Sequence, residues 1–361
     1  MAEPLKHLYT ESLIESLADA LADHRPDLDR AAFKAAVFAP PWDDLELKER
    51  MARITEVLGR FLPADYGAAL AVLKPTAERF EGFEHMYFPG FVEANGLDHF
   101  EASVEAMEHF TPFASSEFAV RPFVKRYGER MMTVMQDWTR SSNHHVRRLA
   151  SEGCRPRLPW AMALPAFQRD PAPVLPILEA LRRDESEYVR RSVANNLNDI
   201  SKDHADLVAE LAARWLADGD ENTPKLVKHA CRTLLKQGRS DVMTLFGFTA
   251  PEHLRVVDLK VDGSVPMGGE ASFGFRLQST AGAVGKVRIE YGVDFLRKNG
   301  SRSRKVFKIS EVEVDGTERP VERRHSFRPI STRTYYPGSQ GLAILINGRE
   351  MARADFELVE A

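Results

Sequence analysis

The spacing of apolar residues changes once along the chain, and this change divides it into two kinds of structure. Up to about residue 250, apolar residues recur at helical intervals, as in LIESLADALADH, RMARITEVLGRFL and LVAELAARWL. A repeat every three or four residues is typical of amphipathic α-helices. From about Leu254 the apolar residues alternate with polar ones in RVVDLKVDG, ASFGFRLQS, KVRIEYGVDF, RKVFKISEVEVDG and GLAILINGREMARADFELVE, with DG, GG, AG, NG and PG pairs near the runs. This second pattern indicates short antiparallel strands joined by turns.

The two patterns predict a multidomain chain in which an α-helical domain precedes a β-domain. We expect residues 1–250 to form a solenoid of helical repeats and residues 254–361 to form an antiparallel β-sandwich, with the boundary in FGFTAPEH, residues 246–253. The second part has the length of an immunoglobulin-like domain, which is about 100 residues.

Three segments of the helical part resemble one another: NHHVRRLASEG (143–153), SEYVRRSVANN (186–196) and PKLVKHACRTL (224–234). Their valines, Val146, Val189 and Val227, are 43 and 38 residues apart, which is the period of HEAT-type repeats. Stacked repeats align equivalent residues into one continuous stripe. This stripe would carry Arg147, Arg148, Arg190, Arg191, Lys228 and Arg232. It could follow the phosphate backbone of DNA, although a single V-R-R segment more often means a buried valine between solvated arginines.

Composition excludes several classes of protein. The chain has 49 Lys and Arg against 53 Asp and Glu, so the whole molecule is not a polycation. No run of 18 uncharged apolar residues could span a bilayer, and the acidic N-terminus does not resemble a secretory signal. Two cysteines, Cys154 and Cys231, are too few for a disulfide scaffold, and no His or Cys spacing indicates a metal site. We therefore expect a cytoplasmic, nucleoid-associated monomer without metal or cofactor.

Positive charge is concentrated in the β-part. Residues 1–250 have a net charge of −7, whereas residues 286–333 contain 13 basic and 7 acidic residues. The segments RKNGSRSRKVFK (297–308) and ERRHSFRPISTRTYY (322–336) supply the candidate DNA-binding residues Arg297, Lys298, Arg302, Arg304, Lys305, Arg323, Arg324 and Arg328. Basic residues interleaved with aromatic ones suit a surface that meets phosphates and sugars. Lysine and arginine also protect the edges of β-sandwiches, so the alternative is structural.

Two carboxylates lie where helix energetics disfavour them. Glu152 precedes Gly153, which we interpret as the C′ cap of the first repeat helix, and Asp199 lies at a comparable place in the second. A carboxylate in the last turn faces the negative end of the helix dipole. Local rules broken twice at comparable positions point to function, although solvated helix ends often carry carboxylates.

Two further residues have simpler structural explanations. Glu117 follows two serines in SSEFAVRPF and suits capping of a first turn. Trp160, in CRPRLPW, is of a residue type that more often packs than takes part in chemistry.

The helical motifs together resemble the AlkC/AlkD superfamily of DNA alkylation repair glycosylases. SSEFAVRPF, HHVRRLASEGCRPRLPW, YVRRSVANNLNDISKDHADLV and KHACRTLLKQGRSDVM carry the resemblance. VRIEYGVDFLRKNGSRSRKVFK, RHSFRPISTRTYYPG and LAILINGREMARADFEL are similar to the immunoglobulin-like domain that distinguishes AlkC. The resemblance covers most of the chain and is most specific in its centre.

The resemblance implies a monofunctional glycosylase that acts on double-stranded DNA containing alkylated bases. It would hydrolyse the N-glycosidic bond of cationic bases such as 3-methyladenine and 3-methylcytosine without base flipping. By the same resemblance, Glu152 and Asp199 match the family's catalytic carboxylates, and Glu117 and Trp160 match further positions that line the site.

Two other classes of function remain open from fold and charge. One is a non-catalytic DNA-binding repeat protein, in which the carboxylates are structural. The other is a protein-interaction scaffold, which is the commonest use of helical repeats. Binding to DNA that falls with salt, without release of any base, would favour the first. Duplex binding that survives charge reversal at Arg147, Arg190 and residues 297–308 would favour the second.

Overall fold

A computed structural model describes residues 4–219, 221–330 and 333–360. These residues form sixteen α-helices followed by eight β-strands. The chain divides into two compact units, Met1–His204 with Asp218–Ala230, and Ala205–Ala217 with Cys231–Ala361. Strands begin at Leu254, as the change of apolar period predicts, while three helices before that point group with the strands. In the part that the structure describes, no helix is long and apolar enough to cross a membrane.

The first unit is helical. Its helices are α1 (Glu11–His24), α2 (Arg30–Val37), α3 (Leu47–Phe61), α4 (Tyr66–Ala77), α5 (Tyr87–Asn95), α6 (Phe100–Phe110), α7 (Val120–Tyr127), α8 (Glu129–Trp138), α9 (His144–Gly153), α10 (Pro165–Arg169), α11 (Leu175–Leu181), α12 (Glu187–Ile200) and α14 (Thr223–Ala230). Several begin at a side-chain cap: the hydroxyl of Thr10 accepts from Leu13 N at 3.2 Å, and the Asp65 carboxylate accepts from Ala68 N at 2.8 Å. Such caps satisfy backbone donors that a helix leaves unpaired.

The three similar segments form α9, α12 and α14. Their valines, Val146, Val189 and Val227, are all buried, and α12 contacts both α9 and α14. The three helices therefore lie side by side, in the order in which the sequence repeats them.

The second unit combines α13 (Ala205–Ala217), α15 (Arg232–Lys236) and α16 (Ser240–Leu245) with a β-sandwich. The strands are β1 (Leu254–Val261), β2 (Ser264–Pro266), β3 (Glu270–Ser279), β4 (Gly285–Leu296), β5 (Arg302–Val314), β6 (Arg319–Ser326), β7 (Gly338–Ile346) and β8 (Arg349–Val359). One sheet has the order β1-β3-β6 and the other β2-β8-β7-β4-β5, all antiparallel except the short β2–β8 pair. Alternate residues, such as Ile289 and Phe273, fill the core between the sheets.

Strand β4 departs from simple alternation, because residues 287–295 are buried on both faces. The face turned away from the sandwich core carries Arg288, Glu290 and Asp294. Arg288 donates to Glu290 at 2.6 Å and to Glu311 at 3.1 Å, and Asp294 accepts from Arg304 Nε at 2.7 Å, so each of these buried charges has a partner. Buried charges are tolerated when they are paired and hydrogen-bonded.

Candidate active site: carboxylates joined by arginines beside an exposed tryptophan

Glu152 and Asp199 lie on the adjacent helices α9 and α12. The two helices are joined by a hydrogen bond of 2.6 Å between the hydroxyls of Ser151 and Ser192. Asn196 donates from Nδ2 to Ser151 O at 2.8 Å. These contacts between short side chains hold the ends of α9 and α12 in fixed relation, and so fix the two carboxylates.

Gly153 does not have the role that the sequence suggests. The prediction of a C′ cap is wrong, because Gly153 is the last residue of α9 and does not adopt a positive φ. A Cβ atom at this position would lie 2.5 Å from Val120 Cγ1 of α7. Glycine is needed here for close packing of α9 against α7 rather than for a left-handed conformation.

Arg155 joins the two carboxylates. Its Nη1 donates to Glu152 Oε1 at 2.6 Å, and its Nε donates to Asp199 Oδ2 at 2.9 Å. Glu152 is only 4% exposed and Asp199 only 2%, so both need a cationic partner. Lys202 supplies a second one, donating to Asp199 Oδ1 at 3.0 Å.

Glu117 enters the same network through Arg148. The carboxylate of Glu117 forms an ion pair with Arg148, whose Nη2 lies 3.3 Å from Glu152 Oε1. Ser115 donates to Glu117 Oε2 at 2.7 Å. Because Glu117 makes no capping hydrogen bond to α7, the first-turn explanation does not describe it. Three carboxylates thus alternate with Arg148, Arg155 and Lys202 in one chain of ion pairs.

The basic members of this chain other than Arg148 were not identified from the sequence. Arg155 follows Glu152 by three residues, and Lys202 follows Asp199 by three. Acidic and basic residues at this spacing face one another on a helix. The same spacing occurs at the ends of both repeat helices, and this recurrence is the feature of the sequence that could identify Arg155 and Lys202.

Trp160 is not a core residue. It is 55% exposed, whereas the other three tryptophans are at most 6% exposed. Its backbone has φ +65°, a left-handed conformation that costs a bulky residue about 1–3 kcal/mol. Its ring lies 5.8 Å from that of Phe83, and it lines a cavity of about 660 Å³ together with Ser115 and Phe118. The indole is therefore presented beside the segment that carries Glu117.

Arg121 connects the tryptophan segment to α9. Its guanidinium is fully buried and donates to Gly153 O at 2.9 Å and to Met162 O at 2.7 Å. Burial lowers the pKa of Arg121 to about 10. This value is still well above 7, so the guanidinium is charged at neutral pH. The adjacent Cys154 is also buried, and its thiol pKa is raised to about 12, so it is not an activated nucleophile.

Some basic residues of the predicted stripe are held in ion pairs or hydrogen bonds, and others are exposed. Arg147 is buried and forms a two-point ion pair with Asp184, at 2.6 and 3.0 Å. Arg190 donates to the backbone oxygens of Asp184 and Glu185 at 2.6 and 2.8 Å. Arg191 is exposed and, among the residues that the structure describes, makes no hydrogen bond or ion pair. Arg148 belongs to the chain of ion pairs with Glu117 and Glu152. The last two residues lie in different units, Lys228 in the helical one and Arg232 in the one that contains the sandwich.

The basic residues of the sandwich lie on two edge strands and at their ends. β5 is at the edge of one sheet and β6 at the edge of the other. The residues whose charge is compensated are Arg302 (with Asp355), Arg304 (with Asp294 and Glu350) and Arg324 (with Glu270). Lys305 lies 5.4 Å from the ring centre of Phe307. Arg297, Lys298, Arg323 and Arg328 are exposed. Basic residues on edge strands can prevent pairing with the strands of other molecules, and they can also contact DNA, so their positions agree with both explanations.

In residues 4–219, 221–330 and 333–360, no group of three or more His, Cys, Asp or Glu side chains is placed so that it could hold a metal ion. The chemistry that this arrangement offers is electrostatic. Fixed carboxylates stabilise developing positive charge, and an indole face attracts a cation.

Comparison with known proteins bears on both parts of the chain. Residues 83–234 match the model of a family described as DNA alkylation repair enzyme, and residues 255–360 match the C-terminal Ig-like domain of the uncharacterised protein YhaZ. The uncharacterised protein YhaZ of Bacillus subtilis (strain 168) is 43% identical over 356 residues, covering 98% of this chain and 99% of its own.

A solved structure covers the whole length as well. The Pseudomonas fluorescens alkylpurine DNA glycosylase AlkC, bound to DNA containing an abasic site analog, superposes with a TM-score of 0.93 at 35% identity, covering 99% of this chain and 100% of its own. These similarities confirm the predicted resemblance and the predicted fold class of helical domain followed by immunoglobulin-like sandwich.

Proposed function

The chain belongs to the AlkC-like family of DNA alkylation repair enzymes, and from this premise we propose that it is a monofunctional DNA glycosylase. It hydrolyses the N-glycosidic bond of cationic N3-alkylated bases, 3-methyladenine and 3-methylcytosine, in double-stranded DNA without flipping the base. The observation that carries the proposal is the chain of ion pairs that fixes Glu117, Glu152 and Asp199, together with the exposed Trp160, which lines a cavity with Ser115 and Phe118 of the segment that carries Glu117.

The residue types suit the bond that breaks. An N3-alkylated base already carries a positive charge, so it departs as a neutral base without a general acid. The bond between C1′ and the base nitrogen breaks with its electron pair going to the base, and positive charge develops on the sugar. Carboxylates stabilise such an oxocarbenium ion and orient the attacking water, which forms the new C1′–O bond and loses a proton. An indole face adds about 0.5–2 kcal/mol of attraction for the cation.

Exposure differentiates the three carboxylates. The side chain of Glu117 is 16% exposed, against 5% for Glu152 and 2% for Asp199. We assign contact with the attacking water to Glu117, which is the most accessible. Glu152 and Asp199 supply the negative field from behind it, held by Arg155. Trp160 packs against the deoxyribose.

DNA binding is the other half of the proposal. The solved relative is bound to DNA containing an abasic site analog, which is the type of product that base release leaves. We propose that exposed basic residues contact the phosphates, namely Arg191 in the helical unit and Arg297, Lys298, Arg323 and Arg328 in the sandwich. One chain supplies all of the proposed catalytic residues, so we expect a monomer to be active.

The decisive experiment measures free bases released from duplex DNA treated with a methylating agent, by chromatography and mass spectrometry. Wild-type protein is expected to release 3-methyladenine or 3-methylcytosine, and Glu152→Gln and Asp199→Asn to lower the rate about 10²–10³-fold. Asp203→Asn is the matched control, because Asp203 pairs with Arg157 near the surface, outside the network. Uracil in the same duplex should remain, since a neutral base lacks the charge that drives its departure.

Other outcomes would assign a different function. Release that survives both substitutions would keep the enzyme and reject these carboxylates. Salt-sensitive duplex binding without release of any base would identify a DNA-binding protein that uses the same fold.

A further inference from the structure

The backbone of the Trp160 segment is held by two basic side chains from different helices. Lys48 of α3 donates from Nζ to Trp160 O at 2.5 Å, across 112 residues of sequence. Arg121 of α7 donates from Nε to Met162 O at 2.7 Å. A hydrogen bond from a charged donor is about twice as strong as a neutral one. Two carbonyl oxygens, two residues apart, are therefore fixed from two sides.

Lys48 also contacts the second segment that carries a proposed catalytic residue. Its Nζ lies 5.8 Å from the ring centre of Phe118, the residue that follows Glu117. Lys48, Phe118 and Trp160 line the same cavity. One ammonium group therefore donates to the Trp160 backbone and lies within cation–π range of Phe118. Lys48 lies outside residues 83–234, the stretch that matches the repair-enzyme family.

The conformation of Trp160 needs such support. Its φ of +65° is unfavourable for a bulky residue and persists only where surrounding contacts impose it. Trp160 is 55% exposed, and the ring contact given for its indole is with Phe83. The hydrogen bond from Lys48 to the Trp160 carbonyl oxygen acts directly on the residue that is strained.

We propose that Lys48 is a positioning residue that holds Trp160 in its left-handed conformation, so that the indole stays presented at the cavity. This inference rests on the proposed function, in which Trp160 packs against the deoxyribose. Without Lys48 the segment relaxes, and the indole must be placed anew in each encounter with the substrate. Misplacing a contact group by about 1 Å can cost about 10²-fold in rate.

The first arm of the test is spectroscopic and uses the free protein. Trp42, Trp138 and Trp215 are buried, so acrylamide-quenchable emission comes from Trp160, and a Trp160→Phe protein gives the background. In Lys48→Met, time-resolved anisotropy is expected to show faster local motion of the Trp160 indole. Lys48→Arg, which keeps a charged donor, should restore slower motion.

The second arm measures base release. Lys48→Met is expected to lower kcat at least tenfold with KM within twofold of wild type, and Lys48→Arg to recover most of the loss. Lys74→Met is the matched control, since Lys74 makes one exposed bond of 2.7 Å to Glu105, away from this cavity. It should change neither Trp160 motion nor kcat.

The arms separate two kinds of failure. Unchanged motion of Trp160 in Lys48→Met overturns the positioning role, whatever happens to kcat. Faster motion with unchanged kcat overturns it as well, because the placement would not matter to the reaction. If wild-type protein releases no base, the proposed function is wrong, and the catalytic role inferred for Lys48 is wrong with it. The anisotropy then shows only whether Lys48 restrains the Trp160 segment.

Discussion

Glu152 and Asp199 do not hold each other in place; both carboxylates bind the same guanidinium, at 2.6 Å and 2.9 Å from Arg155. The two residues are 47 positions apart in the sequence, and only the packing of α9 against α12 brings them to one cation. Each also has a second basic partner, Arg148 for Glu152 and Lys202 for Asp199. A change at either carboxylate is therefore felt at the other.

This sharing predicts strongly non-additive kinetics. Glu152→Gln and Asp199→Asn should each lower base release about 10²–10³-fold, and the double variant should be little worse than the more damaged single one. Single-turnover rates on methylated duplex DNA measure the coupling. Rates that multiply would show that the two carboxylates act independently and that Arg155 does not link them.

Removing the shared cation should damage stability as well as activity. Arg155→Met leaves two buried carboxylates with one partner each, and we expect a loss of about 3–5 kcal/mol in the free energy of unfolding. Arg157→Met removes a two-point pair with Asp203 that is about one third exposed, and should cost at most about 1 kcal/mol. Urea denaturation of the two variants makes the comparison. Equal losses would contradict the structural role of Arg155.

Two arginines of the predicted stripe should behave in opposite ways. Arg191 is exposed and available, so Arg191→Ala should weaken binding to duplex DNA and lower the slope of log K against log salt by about 0.9. Arg147 forms a buried ion pair with Asp184, so Arg147→Ala should destabilise the fold and leave the slope of log K against log salt unchanged. Fluorescence titrations at several salt concentrations give the slopes. A lower slope in the Arg147 variant would place its guanidinium on the DNA.

The turn between β4 and β5 tests the basic surface of the sandwich. Reversing both charges, Arg297→Glu with Lys298→Glu, should weaken duplex binding and lower the salt slope by about 2, one phosphate for each residue. Lys260→Glu, which reverses the charge of another exposed residue, on β1, serves as the control. Affinity unchanged by the double reversal would mean that these charges only protect the sheet edges.

The sandwich should lose stability in mild acid because of one histidine. Burial, with the nearby charges of Arg333 and Lys305, lowers the pKa of His325 to about 4. In the unfolded chain this histidine has its ordinary pKa of about 6.5, so between pH 4 and 6.5 the unfolded chain binds a proton that the folded protein does not. Its contribution to stability, up to about 3 kcal/mol, is complete above pH 6.5 and is lost as the pH falls toward 4.

Denaturation by urea from pH 4.5 to 7.5 checks this. His325→Phe removes the titratable group, so the free energy of unfolding should depend less on pH. Phenylalanine suits the position because the neighbours of His325 include Phe307 and Phe327. His253→Gln, at an exposed histidine, should leave the pH dependence unchanged. The same slope in all three proteins would exclude His325 as the cause.

Local patterns in the sequence were enough for the architecture and for a resemblance that named four residues. The change of apolar period placed the first strand at Leu254, and the repeated V-R-R segments became adjacent helices. Three of the four named residues, Glu117, Glu152 and Asp199, lie in one network of ion pairs. Periodicity succeeds here because it reports which face of an element is buried, and burial drives the folding of each element.

Other features were wrong or invisible at that level. The sequence predicts a cap at Gly153, which is a packing residue, and predicts no strand over Arg319–Ser326, which forms β6. The buried charges of β4 broke the expected alternation. In each case the deciding contact is with a distant part of the chain.

The sequence by itself therefore determined that a helical part precedes a β-part, which segments repeat, and the identity of the candidate carboxylates. Only the tertiary structure decided which charges are available. Arg148 and Arg191 occupy the same place in their repeats, but Glu117, 31 residues away, pairs with the first and no described residue forms an ion pair with the second. Likewise a lysine 112 residues away supports the strained backbone of Trp160. The physical reason is that local spacing fixes which face of a helix a side chain occupies, whereas its freedom to bind depends on the groups that folding brings against that face.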